Sequence, residues 1–94
     1  MIESRWKTFF SPAADKEFRK LDFVEKKRIA KFIEEKILKA VDPRVLGKKL
    51  TGPLDGFLRF RFGNYRIIVD FIPHDWTIRI LKIGHRRSLY ILKS

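Results

Sequence analysis

Cysteine is absent from all 94 positions. Its absence removes disulfides, thiolate metal sites and a cysteine nucleophile in one step, and it suits a reducing compartment. Histidine occurs twice, as His74 and His85. Neither stands at ligand spacing from a pair of carboxylates, so no metal and no cofactor is expected. Acidic residues are also scarce, 11 against 22 Lys and Arg. Beyond residue 46 only Asp55, Asp70 and Asp75 remain, too scattered for a two-carboxylate mechanism. No glycine-rich phosphate loop occurs, and no serine sits in the strained-turn context of a catalytic triad. No apolar run reaches the length of a membrane span, and Met1-Ile-Glu-Ser-Arg-Trp6 lacks the basic-then-apolar layout of a signal peptide. The expectation is a soluble, cytoplasmic protein that makes no use of a membrane.

Hydrophobic residues make up 45% of the chain and include nine Phe and two Trp, enough for a core. The length bounds the chain to one domain, residues 1–94. The formal net charge is +11, which speaks to partners rather than to fold. Residues 1–46 carry 12 Lys/Arg against 8 Asp/Glu, the mixed surface usual for helices. Residues 47–94 carry 10 against 3. That one-sided half suits a phosphate-binding surface, with solubility or an acidic protein partner as the plainer explanation.

Arg5–Phe10 alternates as a strand, with Trp6, Thr8 and Phe10 on one face. Ser11-Pro12 starts a helix to about Leu21, with Ala14, Phe18 and Leu21 turned inward. Asp22 and Glu25 have capping-box spacing for a second helix. Its inward positions are Ile29, Phe32, Ile33, Ile37 and Val41, with Leu38 a further candidate, and Asp42-Pro43 ends it. Residues 44–56 form a connector. Three strands follow, at about 57–62, 65–72 and 76–83, joined by turns at Gly63-Asn64 and Pro73–Asp75. The order is β-α-α-β-β-β. It predicts a two-layer α+β domain, an antiparallel sheet with a helical hairpin packed on one face. The edge or central place of the first strand is not readable from periodicity.

The candidate site lies in the last third. Residues two apart on a strand share a face, so Arg59 and Arg61 leave one side while Leu58, Phe60 and Phe62 leave the other. Arg66, His85, Arg86, Arg87 and Tyr90 extend the cluster, and Lys48, Lys49 and Lys82 add charge near it. Fixed guanidinium groups hold a phosphate bidentately and stabilise charge that grows on it. RNA brings its own nucleophile, the 2′-OH. Each residue also has a plainer role. Arg59 and Arg61 suit a solvated sheet face, Arg66 a pair with Asp70 or Asp75, His85 a backbone cap, and Tyr90 a packing anchor. The lysines of the second helix (Lys26, Lys27, Lys31, Lys36, Lys39) read as a solvated face, and Trp6 and Trp76 as core or rim.

Leu50-Thr-Gly52, Leu58-Arg-Phe-Arg61, Gly63-Asn-Tyr-Arg-Ile-Ile68 and Ile83-Gly-His-Arg86 with Tyr90 resemble the RelE/ParE superfamily of toxin–antitoxin modules. Ser11-Pro-Ala-Ala14 with Phe18, Lys20 and Leu21 resembles its first helix. The resemblance implies a type II toxin with an acidic, partly disordered antitoxin as partner. RelE-type members are ribosome-dependent endoribonucleases that cut mRNA, whereas ParE-type members inhibit DNA gyrase and lack the nuclease residues. On the RelE pattern, Arg66 stabilises the scissile phosphate, Arg86 acts as general acid or phosphate clamp, and Tyr90 helps activate the 2′-OH. Arg59 and Arg61 stand where that branch usually carries lysines, and arginine clamps phosphate better but carries protons worse. Lys48, Lys49, Lys82, His85 and Arg87 are candidates for RNA contact. The RelE branch is favoured, with ribosome and mRNA as further partners.

Overall fold

Ser11 ends one element and begins the next. In the computed structural model, which describes residues 5–85, strand β1 (Lys7–Phe10) stops there and helix α1 (Pro12–Arg19) starts. The Ser11 hydroxyl accepts from the Ala14 amide at 3.1 Å and donates to the Leu81 carbonyl at 3.1 Å, so the helix cap also ties α1 to the sheet. Asp22 caps α2 (Phe23–Phe32) in the same way, accepting from the Glu25 amide at 2.9 Å. The Glu25 side chain turns to Arg28.

A π-helical turn over Ile33–Ile37 prolongs α2. Ile29, Ile33 and Ile37 fall at four-residue steps and are all buried. Val41 would be the next member of that series, and the sequence places it inward. It is 100% exposed instead. The wide turn ends the helix after Ile37, and Pro43 opens a 3-10 turn over Pro43–Leu46, so the helical periodicity no longer holds at 41.

The connector that follows contains an additional strand, β2 (Lys48–Lys49), and a second 3-10 turn at Gly52–Leu54. Then come β3 (Leu58–Phe62), β4 (Tyr65–Ile72) and β5 (Thr77–His85). The sheet order is β1-β5-β4-β3-β2. The two-layer α+β arrangement is as expected, but the sheet is mixed rather than wholly antiparallel. β1 lies at an edge and pairs parallel to β5, Lys7 opposite Thr77 through Phe10 opposite Ile80. A parallel pair needs a long crossover, and here the helical hairpin is part of it. Leu81 is the extra residue of a bulge, because Ile68 faces Lys82 while Val69 faces Ile80.

Register divides the sheet into two faces. Trp6, Leu58, Phe60, Ile67, Val69, Ile78, Ile80 and Ile83 pack with Ala14, Ile29, Ile33 and Ile37 in one buried cluster. Trp6 is core, set edge-on against Phe71 and Trp76. Trp76 belongs to the Pro73–Asp75 turn rather than to the strand. Its φ of 49° is left-handed and its ring lies at the rim. Among the described residues, no helix is long and apolar enough to cross a membrane.

Candidate nucleic-acid interface

The sheet face away from the helices is where the arginines converge. Arg61 lies directly opposite Arg66, which in turn faces Gly84. One row over, Lys48, Arg59, Ile68 and Lys82 stand in line across four strands. Residues opposite one another in antiparallel strands have Cα atoms about 4.5–5.5 Å apart. Arg59, Arg61 and Arg66 therefore leave neighbouring points of a single face, and Gly84, with no side chain, leaves room beside Arg66. Ile68 is only 6% exposed although it lies on this face, as expected if the aliphatic stems of Arg59 and Lys82 cover it.

Among the described residues, carboxylates neutralise other cations of the sheet but not Arg59 or Arg61. Asp70 grips Arg79, its cross-strand neighbour, through two hydrogen bonds. Asp75 meets Lys7 at 3.7 Å. Among the described residues, Arg59 and Arg61 make no ion pair, and the Nε of Arg59 is buried without a hydrogen-bond partner. Arg66 pairs with neither Asp70 nor Asp75, the plainer role allowed by sequence. Asp70 is four residues along the same strand, about 13 Å away at the usual rise. Instead the Arg66 guanidinium donates to the carbonyls of Tyr65 at 3.1 Å and Gly63 at 3.4 Å. These contacts hold it at the β3–β4 turn.

The remaining candidates separate. Lys48 shares the arginine face, whereas Lys49, opposite Leu58, takes the other. Lys82 is spent on Glu17, Nζ to Oε2 at 2.8 Å. The other Glu17 oxygen accepts from the Ile83 amide at 2.9 Å, closing the edge of β5 beyond the end of β1. His85 faces Tyr65 across the ladder, on the helix side, with ring centroids 5.8 Å apart and edge-on. Burial, then the nearby charges of Glu25 and Asp22, push the Tyr65 phenol above its ordinary pKa. It is therefore a neutral donor near pH 7 rather than a base. This Tyr65–His85–Glu25 corner was not singled out from the sequence. The signal was there, because His85 is two residues beyond inward-facing Ile83. Arg86, Arg87 and Tyr90 lie outside the described residues.

Chemically, the described part of this face offers guanidinium and ammonium groups and no histidine. It can hold a phosphate and stabilise added negative charge on it. Proton transfer has to be supplied from outside this set.

A family model described as the ParE toxin of type II toxin–antitoxin systems, parDE, matches residues 9–90. No curated protein matches the chain at a significant level. Among solved structures, the chain is similar to one in the RelBE2 toxin–antitoxin complex of Mycobacterium tuberculosis. Identity is 24%, coverage 92% of this chain and 94% of that one, and the TM-score 0.78. For the intact RelBE complex of E. coli the figures are 21%, 85%, 95% and 0.68. For the RelB–RelE complex of Methanococcus jannaschii they are 25%, 89%, 96% and 0.65.

Proposed function

Since the chain belongs to the ParE toxin family of type II toxin–antitoxin systems, within the RelE/ParE superfamily, we propose that it is a RelE-like toxin that cuts mRNA on the ribosome. The observation that carries this reading is the Arg61–Arg66 cross-strand pair with Arg59 beside it, on a face where no carboxylate among the described residues neutralises Arg59 or Arg61. A phosphodiester held there meets guanidinium groups on neighbouring strands, fixed by the sheet before RNA arrives. Such preorganised donors act most strongly where charge grows in the transition state.

In the proposed reaction the ribose 2′-oxygen attacks the adjacent phosphorus and the P–O5′ bond breaks. The 2′-OH proton is taken up as the nucleophile forms, and the 5′-oxygen is protonated as it leaves. Products are a 2′,3′-cyclic phosphate and a 5′-hydroxyl. Arg61 and Arg66 stabilise the pentacoordinate phosphorus, and Arg59 and Lys48 hold the strand. The family pattern assigns Arg86 to the phosphate or the leaving oxygen and Tyr90 to the 2′-OH. The ribosome supplies the mRNA geometry that a face of fixed cations does not.

The same reading gives the chain an antitoxin, as the RelB-bound relatives have by their descriptions. Its chemistry is acidic, to match the net charge of +11. The ParE name of the matching family supports a second reading, a gyrase inhibitor without nuclease activity. The clustered phosphate-type cations favour RNA. End mapping on programmed ribosomes separates the two. Cleaved mRNA with cyclic-phosphate ends, little cutting of free RNA and normal gyrase supercoiling support the nuclease. Intact mRNA with blocked supercoiling supports the inhibitor.

A further inference from the structure

The alternation of β1 that turns Trp6 and Phe10 toward the helices sends Lys7 and Phe9 to the other side of the sheet. Register confirms it. Phe9 lies beside Arg79, and Arg79 beside Asp70, in one row across β1, β5 and β4. Asp70 shares the face of Arg66, because the two are four residues apart on one strand. Phe9 therefore stands on the arginine face, and its ring is 56% exposed.

Its neighbours are unlike those of an ordinary surface phenylalanine. Asp70 grips the Arg79 guanidinium through two hydrogen bonds, which fix that flat group next to the ring. Among the described residues, β1 is an end strand of the sheet, so its outer side meets no other strand. The ring can be reached from above the sheet and from its edge.

Charge favours a nucleic-acid strand here. Each carboxylate near the way from Arg66 to Phe9 is engaged already. Asp70 holds Arg79, Asp75 meets Lys7 and the Thr77 hydroxyl, and Glu17 holds Lys82 and the Ile83 amide. A protein contact fits less well. Lys7 and Arg79 flank Phe9 on this face, so the ring is not part of a contiguous apolar patch. A lone ring among cations suits an unpaired base, whose flat face stacks while its phosphates meet the charges.

We propose that Phe9, with the Arg79 guanidinium beside it, is a stacking platform for one unpaired base of an RNA strand lying on the arginine face. Asp70 is about 13 Å along β4 from Arg66, and β1 lies two strand spacings, about 10 Å, to the side. The two backbone positions are thus about 16 Å apart, whereas a stacked strand advances about 3.4 Å per nucleotide. The base on Phe9 is therefore several nucleotides from a phosphate held by Arg61 and Arg66. The platform rests on the nucleic-acid reading of this face and not on cleavage.

The test is fluorescence anisotropy of the purified chain with a short, labelled 2′-O-methyl RNA, which has no 2′-OH to attack. An abasic strand with the same phosphates is the second probe. Phe9→Ala is expected to raise Kd for the base-bearing strand about fivefold or more, with the melting temperature unchanged. It should leave Kd for the abasic strand as it was. The slope of log Kd against log salt should not move, because no phosphate contact is lost. Phe9→Trp should restore affinity. An unaltered Kd in Phe9→Ala overturns the proposal, as does an equal loss on the abasic strand. Self-association of the free chain that Phe9→Ala abolishes, with RNA affinity intact, assigns the ring to a second copy instead. A wild-type chain with no affinity for the base-bearing strand removes the nucleic-acid reading of the face and the platform with it. Full dependence on Phe9 in a chain that cuts no mRNA on ribosomes upholds the platform and removes only the nuclease.

Discussion

Arg61 and Arg66 stand directly opposite one another on β3 and β4, two like charges in adjacent positions of one sheet face. Like charges placed so are destabilising by a few tenths to about 1 kcal/mol. A fold optimised only for stability would put a carboxylate at one of the two sites, as it does with Asp70 and Arg79 on the same face. The exception is what a phosphate would require.

Arg61→Glu therefore separates stability from function. The new cross-strand ion pair is expected to raise unfolding stability by about 0.2–1 kcal/mol, measured by denaturant melts. Cleavage should fall by about 100-fold or more, the effect of losing one preorganised donor. A variant both less stable and fully active would show that the pair has no catalytic use.

The π-helical turn makes a second contrast. Ile37 is buried and Val41 is in water. Ile37→Ala should cost about 2–5 kcal/mol, as usual for a large-to-small change in a core. Val41→Ala should stay within about 0.5 kcal/mol. Similar losses at both positions would mean that an unbroken α-helix carries Val41 inward after all.

Glu17 closes the β5 edge by accepting from the Ile83 amide while pairing with Lys82. Glu17→Ala leaves that amide without its acceptor and should cost about 1–3 kcal/mol. Glu17→Gln keeps the acceptor and should cost less. Equal losses would place the stabilisation in the ion pair.

The Tyr65 phenol titrates above its ordinary pKa because burial, and then Glu25 and Asp22, disfavour the phenolate. A folded pKa above the unfolded one gives stability that is complete below about pH 10 and is lost as pH rises through the folded value. Tyr65→Phe should flatten that alkaline loss. Absorbance titration of wild type against Tyr65→Phe reads the phenol directly. A Tyr65 that ionises at or below the ordinary value contradicts burial and the two carboxylates as the governing influences.

Much of the fold is legible in the residues because the signals are local. Ser11 and Asp22 cap helices, Gly63-Asn64 turns a hairpin, and the alternation of Leu58–Phe62 assigns its two faces. What is not legible depends on partners distant in sequence. Nothing within Lys7–Phe10 says that it lies parallel to β5, and a two-residue strand of lysines at 48–49 has no apolar alternation to betray it. The π-turn leaves the isoleucine spacing intact through Ile37 and fails only at Val41. Lys82 reads as a surface cation, and its carboxylate lies 65 positions away. The arginine face is readable by period alone. That Arg61 faces Arg66 follows once the Gly63-Asn64 hairpin sets the register.

Single-turnover cleavage of mRNA on programmed ribosomes tests the central claim most directly, comparing wild type with Arg66→Ala at matched melting temperature. The expected result is ribosome-dependent cutting by wild type and a loss of about 100-fold or more in the variant. Equal rates in the two proteins, or no cutting by either while gyrase supercoiling is blocked, would contradict it.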